Sequence, residues 1–322
     1  MSSEVRSIIR GTRGAGRGLP ARALALLLIG STLTACLRWR PEWRPARTAD
    51  AALRAGMGEA DADLARAREA SERAVDAVGL RNAMADYEKV LAAEPQNYAA
   101  LVALADHSIL MATAYTEERA AKRALYRRAM RLAERAMYTN SEFRRRADGG
   151  ARPWEASGAL DRREMGAMMA WMTALLYTFK ECMSGPVRVI NVRWITRLDP
   201  MLDRMEQLDE RWADGAVPFT RAFYYFVLPP SLGGDRKLAA RSFERAVEMG
   251  PNRLLHRWGR ARFFHDLTSD RDGFVSDLEW VSTRDPDAFT DAPPWKAYIQ
   301  RDAKRLLGEA DCLFGSRPKR WM

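Results

Sequence analysis

The stretch "AARSFERAVEMGP" (239–251) decides how the chain is read. A small residue at Ala239 is followed by an aromatic at Phe243, then Ala246, Val247 and a Gly250–Pro251 stop. "AMADYEKVLAAEP" (83–95) repeats the frame with Ala83, Tyr87, Val90, Leu91 and Pro95. The spacing puts these side chains on one face of a helix. The small residue admits a neighbouring helix, and the aromatic fills the groove beside it. Proline cannot continue the helix and ends it. Asp235 stands where an N-cap belongs, so a helix is predicted over 236–249. "FVSDLEWVSTRDP" (274–286) echoes the frame with Phe274, Leu278, Val281 and Pro286. A further set, Ala129, Ala133, Ala136 and Met137, lacks the proline.

The two matching frames resemble the second helix of a tetratricopeptide repeat. Such a hairpin cannot bury its apolar face alone, so neighbours must stack on it. The fold class expected is all-α: a degenerate tetratricopeptide-like array of helical hairpins, an α-solenoid or superhelix. The alternative is a set of generic amphipathic helices that end at proline. Periodicity places further helices over 58–78, 81–93, 97–112, 116–138, 160–183, 187–210, 217–227, 252–266, 271–283 and 293–313. Loops are expected at 141–153, 183–186, 228–235 and 290–294. The first of these carries Arg144–Arg146, read as solvated side chains, with an anion site as the competing reading. "VRVINVRW" (187–194) is β-branched and locally ambiguous.

Working outward, the N-terminus has its own pattern. Five arginines between Arg6 and Arg22, opposed by Glu4 alone, precede an apolar run from Ala21 to Ala35. That run is about 15 residues, short of the roughly 20 a spanning helix needs. A basic segment, a short apolar segment and small residues describe an export signal. "LTAC" (33–36) resembles the lipobox of bacterial lipoproteins, which implies acylation at Cys36 and a membrane tie through that lipid. A short signal anchor with an incidental cysteine is the competing reading. Beyond it, Trp39 and Trp43 alternate with Arg38, Arg40 and Arg44, and Pro41 and Pro45 oppose a helix. This suits either a headgroup interface or a plain spacer. The expected division is 1–35 leader, 36–50 tether, 51–314 helical domain and 315–322 tail.

Formal net charge is +10, of which the leader supplies +4, leaving +6 with acids interspersed. No clustered basic motif supports nucleic-acid binding. An acidic partner or anionic lipid is the better match to that excess. Cys182 and Cys312 remain once Cys36 is set aside; they could bridge in an oxidising compartment or be two buried thiols. His107, His256 and His265 sit in no metal-ligand pattern, and no G-x-S-x-G or P-loop is present. Asp203, Glu206, Asp209 and Glu210 have helical spacings suited to solvation or pairing. Neither a catalytic activity, a metal nor a cofactor is expected.

Two apolar stretches remain. "MGAMMAWMTALLYTF" (165–179) is apolar on most sides. That describes a central core helix, with Trp171 and Met172 as candidates if it instead lines a cleft for an apolar ligand. In "RAFYYFVLPP" (221–230), Phe223, Tyr224, Tyr225 and Phe226 cannot all face one core. At least one should line a groove or interface, and Tyr224, Tyr225 and Phe226 are the candidates.

Over residues 201–314, together with Cys36, the chain resembles the T-component (TatT) family of proteins associated with TRAP transporters. The resemblance rests on Pro229, Leu232, Gly233, Gly234 and Asp235 ahead of Ala239 and Phe243–Ala246, and on a final helix with Ala303, Leu306 and Leu307. Gly233, Gly234 and Asp235 are read chiefly as a tight turn and cap, with a ligand role as the alternative. The resemblance implies a lipid-anchored periplasmic protein working beside the solute-binding protein of a tripartite ATP-independent transporter. It also implies self-association, with a homo-trimer favoured, and a cleft for an apolar small molecule. Leu37, in place of an aspartate after the cysteine, favours the outer membrane by the same resemblance. A lipoprotein scaffold for envelope assembly is the alternative function.

Overall fold

The computed structural model describes residues 57–315. The leader, Cys36 and the tether lie outside the described residues.

Each helix packs mainly on its neighbours in sequence. The chain opens with α1 (Met57–Glu72), α2 (Ala77–Ala93), α3 (Tyr98–Tyr115) and α4 (Arg119–Tyr138), each against the next. α5 (Ser141–Asp148) and three short helical turns lead to α6 (Met165–Cys182), which packs on α4 and α3. Next come α7 (Gly185–Asn191), a 3-10 stretch (Val192–Leu198), α8 (Asp199–Asp209) and α9 (Trp212–Val227). α9 packs closely on α10 (Arg236–Met249). α11 (Leu254–Arg260) runs on through a π-helical turn (Ala261–His265) and Asp266–Thr268. α12 (Arg271–Thr283), α13 (Pro293–Gly308) and α14 (Ala310–Gly315) close the described chain. Among the described residues there is no strand, and the fold is an all-α helical array.

The repeat frames bury the faces their spacing predicts. Ala83, Tyr87 and Val90 are buried on α2, and Ala239, Phe243 and Ala246 on α10. Phe274, Leu278 and Val281 do the same on α12, as do Ala129, Ala133, Ala136 and Met137 on α4. Small residues set the helix spacing. A Cβ at Gly215 would stand 2.9 Å from the Ala246 carbonyl oxygen, and one at Gly259 only 2.3 Å from Phe219 Cζ. Phe219 and Phe223 of α9 interlock edge-on with each other and with Phe243 of α10, at centroid separations of 5.1–5.7 Å. α3 is long and apolar enough to cross a membrane by composition, but it is mostly buried between helices.

Three expectations need correction. The segment 141–153 is not a loop throughout. The Asn140 side chain accepts hydrogen bonds from the Glu142 and Phe143 amides, capping α5, which buries Phe143 and Ala147. Arg145 and Arg146 both pair with Glu142 on that helix. The single helix expected over 187–210 is three pieces, because the backbone tightens to 3-10 between α7 and α8; the β-branched stretch at its start is helical. Cys182 is buried and Cys312 is exposed, with no disulfide between them. Near 212, by contrast, the expected start of α9 at 217 is close to the regular helix. Ala213, Asp214 and Gly215 are left-handed, with φ of 48°, 54° and 92°.

α13 makes a connection that is distant in sequence. It returns to pack against α1 and α3. The Trp295 indole N–H donates to both carboxylate oxygens of Asp106 on α3, at 3.1 and 2.9 Å. The late helices are thereby joined to the early ones.

Candidate functional site

The Gly-Gly-Asp motif works as a turn and a cap. Gly233 has φ 94°, a left-handed conformation that side chains resist. A Cβ on Gly234 would fall 1.8 Å from the Leu228 carbonyl oxygen, so only glycine fits. The Asp235 amide donates to the Tyr225 carbonyl at 3.0 Å. Its carboxylate then accepts from the Lys237 and Leu238 amides at 2.7 and 3.0 Å. Those amide bonds hold its pKa below the ordinary value. The motif therefore fixes where α10 starts relative to the end of α9.

Among the described residues, grooves open on the array at two places. The first, about 600 Å³, lies between α2 and α4 over Leu104 of α3. Its floor is apolar, and Arg127, Arg128, Arg131 and Arg135 face it from α4 against Glu88 of α2. Arg128 pairs with Glu88, and Arg135 donates to the Pro95 carbonyl at 2.8 Å. The second groove, about 500 Å³, lies among α8, α9 and α10. Glu206, Glu210, Glu244 and Glu248 outnumber Arg221, Arg241 and Arg245 there. The two grooves thus carry opposite signs.

The candidate aromatic residues divide between core and surface. Tyr225 lines the second groove. Tyr224 is buried beside it, its ring 5.6 Å from that of Tyr225. Burial, first of all, pushes the Tyr224 hydroxyl up to about 12. Phe226 packs on Phe264, at 5.3 Å, after α11. Trp171 and Met172 are buried in the core, 1% and 0% exposed, and line neither groove. A helix apolar on most sides reads the same whether it is enclosed by protein or lines a cleft, and here other helices enclose those two residues.

Arg221 is the residue the sequence reading missed. It is buried at the start of the aromatic run and held by three carboxylates of α8. Its Nε donates to Glu206 at 2.8 Å, Nη1 to Asp199 at 2.5 Å and Nη2 to Asp203 at 2.6 Å. Asp199, Asp203 and Glu206 are spaced i, i+4, i+7, which places them on one helix face. That spacing was the available signal. Burial alone would lower the Arg221 pKa, but the three carboxylates raise it further.

A third polar cluster lies where α11, its π-helical turn and α13 meet. Asp302 accepts from the Trp258 indole at 2.9 Å, from Arg262 at 2.5 Å and from Arg305 at 2.6 Å. Arg262 also donates to the Tyr298 hydroxyl at 2.7 Å. Burial works to raise the Asp302 pKa, yet the Arg262 charge and these hydrogen bonds hold it below the ordinary value.

Comparison with protein families finds a match over residues 85–314 to the family described as TRAP transporter T-component. The chain belongs to that family, and the match takes in α3 to α6 as well as the C-terminal part that carries the sequence motif. No curated protein matches the chain. The family is an accessory component of TRAP transporters.

The surroundings of Trp171 generate a pH test. Its indole donates to Glu134 Oε1 at 2.9 Å inside the core. Burial pushes the Glu134 carboxyl up to about 8, with the Trp171 hydrogen bond and the Arg131 charge opposing. An unfolded glutamate loses its proton near pH 4.3. Between those values the folded state binds more protons than the unfolded one, so stability falls as pH rises. The contribution is complete below the unfolded pKa and is lost as pH passes through about 8. Glu134→Gln keeps an acceptor for the indole and has no proton to lose. Its melting temperature relative to the parent should climb between pH 5 and pH 8.5. A constant difference across that range would mean that Glu134 ionises without cost.

Proposed function

Because the chain belongs to the T-component family, we propose that it is the lipid-anchored periplasmic accessory protein of a TRAP-type transporter and that it binds the transporter's solute-binding protein. The family match over residues 85–314 carries this reading, since it spans most of the described helices. The leader supports the location: a basic segment, a short apolar run and Cys36 in a lipobox-like sequence are what an exported, acylated protein needs. Residues 36–50 would then be the tether, 51–314 the working domain and 315–322 a tail. The array, read as degenerate tetratricopeptide-like hairpins, offers the broad surface such stacks use for recognition. The groove beside Tyr225 is the candidate place for a small apolar ligand.

The contact with the solute-binding protein is expected to be weak. Anchoring at the membrane confines both partners to a thin layer, so a micromolar affinity, about −8 kcal/mol, is sufficient. A tight complex would release its partner slowly. The grooves of opposite charge add a salt dependence. With the chain immobilised, the solute-binding protein encoded beside it should bind with Kd on the order of 1 μM and weaken at high salt. Absence of binding at about 100 μM would favour the envelope-scaffold alternative. Metabolic labelling with a fatty-acid probe should mark the parent chain and spare Cys36→Ala; equal labelling of both would remove the lipid anchor from the account.

A further inference from the structure

The β-branched stretch 187–194 takes no part in either groove or in the Gly-Gly-Asp turn. It begins in α7, which packs chiefly on the 3-10 stretch that follows it. The faces of α7 are inverted. A helix on the surface of a soluble protein turns apolar side chains inward and polar ones to water. Here Val189 is 74% and Ile190 38% exposed. Pro186, three and four residues earlier on the same face, is exposed with them. The residue turned inward is Asn191, which is buried and donates its side-chain amide to the Val187 carbonyl at 2.8 Å. A single exposed aliphatic side chain is ordinary. An adjacent pair on a helix that buries its amide is a reversed pattern.

The charge around this pair has one sign. Arg188, Arg193 and Arg197 lie between Glu181 and Asp199, and no acidic residue does. Both flanking carboxylates are engaged elsewhere: Glu181 accepts from Lys122 at 2.7 Å and Asp199 from Arg221 at 2.5 Å. Arg188 and Arg193 are exposed and form no ion pair among the described residues. Arg197 lies over the Trp154 and Trp194 rings, 4.8 and 5.5 Å from their centroids, and those two indoles meet edge-on at 5.6 Å. Exposed aliphatic side chains ringed by arginines, with tryptophan at the edge, match the boundary between lipid headgroups and acyl chains.

We propose that α7 and the start of the 3-10 stretch are the contact of the helical domain with an anionic bilayer surface. Val189 and Ile190 enter the boundary below the headgroups, and Arg188 and Arg193 meet lipid phosphates. A protein partner fits this patch less well. A stable protein interface takes about 800 Å² from each side. A seven-residue helix that packs chiefly on the next turn of its own chain offers far less. A bilayer can use so small a patch because a second attachment, the N-terminal segment, holds the chain beside it. The inference rests on the reading that the chain is tied to a membrane, and it names the side of the helical domain that faces the lipid.

The test uses the full chain in floated vesicles of phosphatidylcholine, with or without phosphatidylglycerol. Cys312→Ser removes the exposed thiol, Ile190→Cys carries a nitrobenzoxadiazole label, and the Cys312→Ser chain alone is the blank. Leu267→Cys is the control, a 43% exposed apolar position among Asp266, Asp270 and Asp272. The label at 190 should brighten several-fold when phosphatidylglycerol is included, and doxyl-labelled lipid rather than iodide should quench it. The label at 267 should stay open to iodide in both lipids. Arg188→Gln with Arg193→Gln should lower the brightened fraction by about tenfold. Melting curves establish that these surface variants fold. Iodide quenching at 190 in floated phosphatidylglycerol vesicles would overturn the proposal and leave the membrane tie standing. Protection from both quenchers would also overturn it and assign the patch to a protein partner. Equal brightening in the two lipids would overturn the role of the arginines. Failure of the full chain to float would overturn the membrane tie as well as the patch.

Discussion

The return of α13 onto α1 and α3 is the constraint on which the described unit depends. A stack of helical hairpins satisfies each apolar face with the next, and it can otherwise run on without limit. Here the Trp295 indole reaches Asp106 across 189 residues of sequence and ties late helices to early ones. Elements that touch only neighbours elsewhere then share one interior. Desolvation follows from that sharing. Tyr177, Arg262 and Tyr298 come from three parts of the chain; burial first of all raises the two tyrosine hydroxyls, while Tyr298 and Asp302 hold the Arg262 guanidinium up against its own burial.

Packing within the stack relies on small residues where backbones come close. Gly259 leaves room for the Phe219 ring, and Gly215 lets α9 start against Ala246 of α10. Those contacts bring Phe219, Phe223, Phe243 and Phe264 into one cluster. The same region carries the Gly233–Asp235 turn, which sets the α9–α10 geometry. The groove between α2 and α4 and the groove among α8 to α10 differ in sign, which gives an accessory component of a transporter two electrostatically distinct faces.

Much of this was legible in local sequence. The helices over 236–249 and 271–283 follow from a cap, a periodic face and a stop, and each signal lies within the helix or next to it. α5 was missed because three arginines and two glycines read as a loop, although Asn140 carried the capping signal. The break between α7 and α8 has no strong local mark, since Pro200 suits the first turn of a new helix as well as a bend. Site residues fared less evenly. Tyr225 lines a groove, as expected of at least one aromatic in its run, whereas Trp171 and Met172 went to the core. Arg221 escaped notice because what distinguishes it, three carboxylates, lies on another helix.

The central claim is that the return of α13 joins the late helices to the early ones in one unit. It is tested most directly by amide hydrogen exchange in Trp295→Phe, which keeps a ring but cannot donate to Asp106. The account predicts faster exchange in α1, α3 and α13 than in the parent chain, with α9 and α10 keeping their protection. Unchanged exchange of α1, α3 and α13 in that variant would contradict it.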